Sequence, residues 1–442
     1  LGAGEARRGE RAETIQRIEA DYRGYAVYRY EHQFFCVPRN CDTGTFNLAD
    51  FRDGRYPGGF VAHSNPEIDH FIHNSTEGRT SNGVTLVFSQ LSVERTTDIL
   101  CNAGIKTDSV TFLKAGDGQS WPENSIDCGV RSLLDWARAG GALPPSLTGN
   151  VAKIVIPWSY PASWTCGAIE AAAARFTDNV QILFENGESR EYFGEDLHRL
   201  GYNKAYLSSM FEVVPTLNGR DVLEVGCSDG LVSDLLSACG GRRIVGIDVM
   251  RSVGCRFPGP GKSYFSMNAS RLAFPDKSFD VVLSIATFEH VPDPLGVLME
   301  VLRVTKPGGY VYVQAGPLYA SPHGHHMFAY FQDQPWIHLR KSPDEIVAYA
   351  EAHDVGQRIT AETRLAPGEY IRSMLSTEHL NGLLLDQYGL DAFMRRKDIE
   401  ILKFNVSREG ENLLTKELIR ELEPYSEQML TTHGFELAFR RT

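Results

Sequence analysis

From Gly83 onward, short apolar runs bounded by turn-forming residues alternate with segments whose apolar positions recur every three or four residues. That alternation of strand and helix is the pattern of layered α/β structure. VTLVF at 84–88, VTFL at 110–113, KIVIPW at 153–158 and VQILF at 180–184 are apolar on both sides of the pleat, which predicts strands covered by helices. Helices are expected at 93–104, where VERTTDILCNAG ends on a glycine, and at 127–139 and 165–176. Residues 1–75 carry less pattern: a charged helix candidate near 11–22, an aromatic stretch from Tyr22 to Phe35, and a loop punctuated by Gly and Pro at 55–60.

After a mostly helical stretch at 191–219 the pattern sharpens. DVLEVG at 221–226, RIVGID at 243–248, YFSMNA at 264–269, FDVVLS at 279–284 and YVYVQAG at 310–316 predict five strands, with helices after the first and fourth and a KPGG turn before the fifth. The runs ILKFNV and FELAF near the end predict strands that complete the sheet, with one helix over TKELIRELEPYSEQML between or beside them. The expected organisation is therefore a loop-rich segment at 1–75, an accessory α/β domain at 76–190, a helical connection at 191–219, and a doubly wound, Rossmann-like α/β domain at 220–442. In the accessory domain Asp117, Gly118, Trp158 and Trp164 are candidate pocket residues, though a structural role is the simpler reading of each.

In a doubly wound sheet a ligand sits beyond the carboxyl ends of the strands, beside the first strand-to-helix turn. Gly226 and Gly230 occupy that turn, and lacking a Cβ they permit close backbone approach. The turn reads G-C-S-D-G, which departs from the G-x-G-x-x-G of dinucleotide sites. Asp248 ends the second strand, where a carboxylate accepts hydrogen bonds from ribose hydroxyls. Together these features point to a nucleoside.

LEVGCSDG at 223–230, GIDV at 246–249, Asn268 and Ala269, SFDVVLSIATFEHVPDP at 278–294 and LRVTKPGGYVYV at 302–313 together resemble the class I S-adenosylmethionine-dependent methyltransferase family in both order and spacing. The resemblance implies S-adenosylmethionine as cofactor. It implies that Glu224, Gly226, Ser228 and Gly230 surround the amino acid moiety and ribose, and that Asp248 holds the ribose hydroxyls. Val249 and Met250 would flank the adenine, Asn268 and Ala269 would meet its exocyclic edge, and Ser284 and Ile285 would line the channel. Ser228 stands where the family commonly has glycine.

Methyl transfer from a sulfonium is a direct displacement, so the protein's task is to align the nucleophile and, for a hydroxyl, to remove its proton. Imidazole suits that task near neutral pH. His290, in the loop after the fourth strand, and His325 and His326, in the loop after the fifth, are the candidate catalytic residues; His338, Tyr319 and Asp333 are weaker candidates. A metal is the competing use of His323, His325 and His326 with Asp333 or Glu289, but adjacent residues converge poorly on one ion, and no metal is expected. The long aromatic, His-rich stretch at 318–339 suits enclosure of an organic acceptor, with Asn381 and Tyr388 as further candidates to face it and Leu383 to Leu385 as core. These features predict O-methylation of a small or carrier-linked metabolite, with N- or C-methylation and a non-catalytic binding protein as alternatives.

Composition narrows the partners. Across 442 residues, 44 Lys and Arg face 56 Asp and Glu, a net charge of −12 that offers no basic field for nucleic acid. Eight scattered cysteines argue for reduced thiols, and Cys36 with Cys41 lacks the second pair of a zinc knuckle. With no run long enough to span a bilayer, the expectation is a cytoplasmic protein without a membrane partner, acting as a homodimer on small molecules.

Overall fold

The computed structural model describes residues 15–22, 25–30, 33–52, 55, 60–62, 84–88, 93–114, 125–127, 151–158, 179–184, 189–193 and 195–442. The chain divides into two compact units, Leu1–Gly78 and Arg79–Thr442. In the first, β1 (Gln16–Tyr22), β2 (Tyr25–Tyr30), β3 (Gln33–Pro38) and β4 (Phe60–Ala62) form an antiparallel sheet in that order, with helix α1 at Leu48–Arg52. The helix expected near 11–22 is thus a strand over its described part. Pairing with the aromatic and β-branched β2 overrides a weak local helix preference, and Gln16 sits opposite Arg29. Phe35 and Phe46, with ring centroids 4.9 Å apart, anchor this small unit.

Among its described residues the second unit holds two sheets. The first has the order β10-β9-β8-β5-β6-β7, parallel except for the edge pair β10 with β9. Its members β5 (Val84–Phe88), β6 (Thr111–Lys114), β8 (Val151–Trp158) and β9 (Asn179–Phe184) are the four strands expected from sequence, and α2 (Val93–Asn102) is the expected helix. The short β7 (Ser125–Asp127) and β10 (Ser189–Phe193) lack long apolar runs and escaped the pattern. Trp158 ends β8, whereas Asp117, Gly118, Trp164 and, apart from Asp127, the helix candidates at 127–139 and 165–176 lie outside the described residues.

The second sheet has seven strands in the order β13-β12-β11-β14-β15-β17-β16. The five from β13 (Lys262–Ser266) through β12 (Arg243–Asp248), β11 (Asp221–Val225) and β14 (Phe279–Ile285) to β15 (Thr305–Ala315) are parallel, and β17 (Thr432–Arg441) and β16 (Ile399–Arg408) close it antiparallel. Strand alternation sends side chains to two cores. Val222, Val281, Leu283 and Tyr312 meet Leu207 and Met210 of α3 (Glu195–Phe211) and Leu235 and Leu236 of α4 (Leu231–Ala238). Leu223, Val225, Val282 and Val311 meet Val297, Leu298 and Val301 of α5 (Pro294–Val304) on the other face. The first core also takes in Leu86, Ile154, Ile182 and Phe184 of the preceding sheet, so the two sheets of this unit share apolar packing.

Two local expectations give way. The KPGG stretch lies inside β15, where Gly308 at φ +78° and a register shift between Phe279 and Val281 absorb an irregularity in the ladder. The helix expected over 415–430 is split into Lys416–Glu421 and Glu427–Thr431, because Pro424 between them has no N–H for a helical bond. Between β15 and β16 the chain also inserts α6 (Pro343–Ala352), α7 (Asp354–Thr363) and α8 (Pro367–Met374), packed on Ile346, Ile359 and Ile371. Among the described residues no helix is long and apolar enough to cross a membrane.

Candidate functional site

At the carboxyl end of β11 the chain turns sharply. The N–H groups of Gly226 and Cys227 both donate to the Ile247 carbonyl, at 2.8 and 3.0 Å, which draws the turn against β12. Gly226 and Gly230 have φ +80° and +99°, and a Cβ on Gly226 would lie 2.0 Å from the Thr287 hydroxyl oxygen. Ser228 is also left-handed, at φ +48°, a conformation costing a non-glycine residue about 1–2 kcal/mol. Asp248 offsets that cost: its Oδ2 accepts from the Ser228 N–H at 2.9 Å and its Oδ1 from the Met250 N–H at 3.1 Å. The carboxylate is held at the mouth of the turn with acceptor capacity left for ligand hydroxyls. Val249 beside it is 72% exposed, an open apolar surface of the kind a purine covers.

The turn is braced from beneath by charges that sequence reasoning missed. Asp229 is fully buried and receives both guanidinium nitrogens of Arg199, at 2.7 and 2.6 Å. Arg256 binds Asp196 at 2.9 and 2.7 Å and approaches Asp229 at 3.4 Å. Asp196 and Arg199 are an i, i+3 pair on α3, 3.2 Å apart, but no sequence spacing joins them to Asp229 of the turn or Arg256 of the loop after β12. Removing one partner of such a buried network leaves an uncompensated charge, so Arg199→Met should destabilise the protein by about 3–5 kcal/mol. Urea denaturation would measure it, and a change below about 1 kcal/mol would show that the network does not support the turn.

Other expected cofactor residues have different surroundings. Glu224 is buried and accepts a hydrogen bond from the Ser233 hydroxyl, and burial pushes its carboxyl up to about 8. The buried Ser284 hydroxyl donates to the Val225 carbonyl at 2.9 Å, tying β14 to β11, and Ile285 is buried beside it. Asn268 accepts from the Ser270 N–H at 2.8 Å, shaping the loop after β13, and Ala269 rests against the second core. Gly226, Ser228, Gly230, Asp248 and Met250 thus meet at one mouth, whereas Glu224 and Ser284 spend their polar groups inside the protein.

The histidines separate into two groups. His290 lies 5.0 Å from His326 and 4.8 Å from His379 between ring centroids. A carbonyl only accepts, so the contact of His290 Nδ1 with the His379 carbonyl places the proton on Nδ1 and leaves the Nε2 lone pair available. Burial lowers the His290 pKa, which keeps the ring neutral at pH 7. His326 has left-handed backbone at φ +59°, donates from Nε2 to the Pro317 carbonyl at 3.0 Å, and is held by burial well below the usual imidazole range.

His325 points away from this group. It is fully buried, its Nδ1 accepts from the Met327 N–H at 3.0 Å, and its ring faces His323 and His338 at 5.8 and 5.4 Å. Burial drives its pKa down to about 3, and that of His338, which donates to the Tyr319 carbonyl at 2.6 Å, to about 4. His325, expected to meet the acceptor, is thus turned away from His290, and His379, 89 residues further along the chain, stands directly against His290 instead. Tyr319 packs on His338 and Asp333 is exposed. Asn381 and Tyr388 were expected to face a pocket; instead Asn381 Nδ2 donates to the Phe288 and Val291 carbonyls at 2.8 and 3.0 Å and to the buried Tyr388 hydroxyl at 3.2 Å. They clamp the segment carrying His290. Among the described residues no group of three His, Cys, Asp or Glu is arranged to hold a metal ion.

Glu289, between Phe288 and His290, is buried with neither carboxylate oxygen hydrogen-bonded among the described residues, and burial pushes its carboxyl up to about 8. A carboxyl whose folded pKa is raised contributes stability that is present below the unfolded value near 4.5 and lost as pH rises through about 8. Glu289→Gln removes this dependence. The melting temperature of the variant should gain on that of the wild type between about pH 5 and pH 9, and parallel curves would contradict the burial argument.

Comparison with known proteins converges on the same region. Residues 223–313 match the family model described as methyltransferase domain. A ubiquinone biosynthesis O-methyltransferase of Methylococcus capsulatus is 33% identical over 153 residues, covering 31% of this chain and 62% of the relative. A 2-methyl-6-phytyl-1,4-hydroquinone methyltransferase of Synechocystis sp. is 32% identical over 149 residues, covering 29% of this chain and 47% of the relative. The match thus spans less than two thirds of either relative's length. A solved S-adenosylmethionine-dependent methyltransferase from Mesorhizobium loti overlays 54% of this chain and 98% of its own at 16% identity, with a TM-score of 0.34.

Proposed function

We propose that this chain, which carries a class I S-adenosylmethionine-dependent methyltransferase domain, O-methylates a small organic metabolite, free or carrier-linked. The cofactor supplies an electrophilic methyl group when bound. Asp248 would accept the ribose hydroxyls, the left-handed turn from Gly226 to Gly230 would let the backbone approach the ligand, and Val249 and Met250 would flank the base. His290 would take the acceptor's hydroxyl proton on Nε2, which makes the acceptor oxygen nucleophilic.

The observation that carries this reading is the bond from His290 Nδ1 to the His379 carbonyl, since it fixes the tautomer a general base needs. Burial supports it by keeping the ring neutral. Relatives named as O-methyltransferases of ubiquinone biosynthesis favour a hydroxylated acceptor. The test is incubation with S-adenosylmethionine and a panel of small phenols, catechols, carboxylic acids and amines, with products read by mass and NMR. One added methylene unit on oxygen is expected. Methylation confined to nitrogen or carbon would overturn the O-methyl assignment, and no methylated product from any acceptor would count against the whole reading.

A further inference from the structure

At the far edge of the seven-stranded sheet lies a cavity of about 330 Å³ that the methyl-transfer reading leaves unused. Its floor is apolar, made by Leu318 and Leu390, and its outer wall is the edge strand β16, where Phe404 and Val406 are each 38% exposed. Two carboxylates, Asp386 and Asp391, stand at its rim. Both are exposed, and neither side chain has an ion-pair partner among the described residues. The volume falls at the lower end of what small-molecule sites enclose.

This cavity is separate from the cofactor mouth. Its outer wall β16 is five strands from β12, which carries Asp248, roughly 24 Å at about 4.8 Å per strand, and its inner wall at Leu318 follows β15, three strands or roughly 14 Å from β12. The segment after β15 forms the partition: Leu318 faces the cavity, while the preceding Pro317 carbonyl binds His326. The lining is mostly apolar, with Ser426, Gln428 and Thr432 as its neutral polar groups and the two aspartates as its only charges. From this combination we infer that the cavity is a second ligand site, for a small amphipathic amine whose apolar body lies against Phe404, Val406 and Leu390 and whose ammonium group meets Asp386 and Asp391. Neutral molecules of the same shape would gain the apolar contact alone, and anions would be repelled.

Three probes that share a phenylethyl body test this on the full chain, by calorimetric titration with and without S-adenosylhomocysteine: 2-phenylethylamine, 2-phenylethanol and 3-phenylpropionate. The amine should bind with a dissociation constant below about 1 mM, the alcohol roughly tenfold more weakly, and the acid not at all. Asp386→Asn with Asp391→Asn should bring the amine to the level of the alcohol, and Val406→Trp, which fills the entrance from an exposed edge position, should abolish both. Amine binding should be the same whether or not S-adenosylhomocysteine is present, so the outcome is independent of the methyltransferase reading. No amine binding, equal binding of amine and alcohol, or indifference to all three substitutions would overturn the inference.

Discussion

Asp248→Ala is expected to weaken S-adenosylhomocysteine binding by about 100-fold or more, because hydrogen bonds to a charged group contribute about 1.5–3 kcal/mol each and the variant loses several at once. The ribose loses its acceptor, and the Ser228 and Met250 N–H groups lose the carboxylate that holds them at 2.9 and 3.1 Å. Without that bond, left-handed Ser228 has less reason to keep φ +48°, so the turn loosens as well. Asp248→Asn retains one acceptor oxygen and should lose less. An unchanged dissociation constant in a folded Asp248→Ala protein would remove Asp248 from the cofactor site.

His290→Ala is expected to lower turnover by about 10²- to 10⁴-fold, the usual contribution of a positioned base, while cofactor affinity stays within about twofold. The pH profile gives a second readout. Burial lowers the His290 pKa below 6.5, so wild-type turnover should rise with pH through that lowered value and level off above it, as the ring loses its proton and becomes a base. The variant should lack this acid limb. If His290→Ala keeps full turnover and the same limb, the base is His326, whose Nε2 is committed to Pro317 and whose Nδ1 would then do the work.

The parallel core of the seven-stranded sheet was legible because β11, β12, β14 and the second half of β15 are apolar on both faces, while the polar, largely exposed β13 carried less signal. DVLEV and RIVGID are both strands as read, and the turn between β11 and α4 lies where the glycines put it. Short or one-sided strands such as β7 and β10 left no such trace. The N-terminal sheet was read as helix and loop because its order comes from pairing between strands, which a local pattern does not carry.

At the site, Asp248 and the glycines were visible because they lie at strand ends whose direction is fixed by the sheet. The histidines were not separable in that way. His325 and His326 are neighbours in sequence, yet the left-handed backbone of His326 turns its ring toward His290 while His325 sinks into the loop. Their roles depended on a dihedral angle that no residue type announces. His379 and the pair Arg199 and Asp229 depend on long-range packing, with separations of 89 residues from His290 to His379 and 30 from Arg199 to Asp229.

Calorimetric titration of the full chain with S-adenosylhomocysteine tests the central claim most directly, since every assignment at the mouth of β11 and β12 presupposes that this nucleoside binds there. A single-site isotherm in the micromolar range, weakened by Asp248→Ala and unaffected by His290→Ala, is the result expected. A folded wild-type protein that takes up neither S-adenosylhomocysteine nor S-adenosylmethionine at millimolar concentration would contradict it.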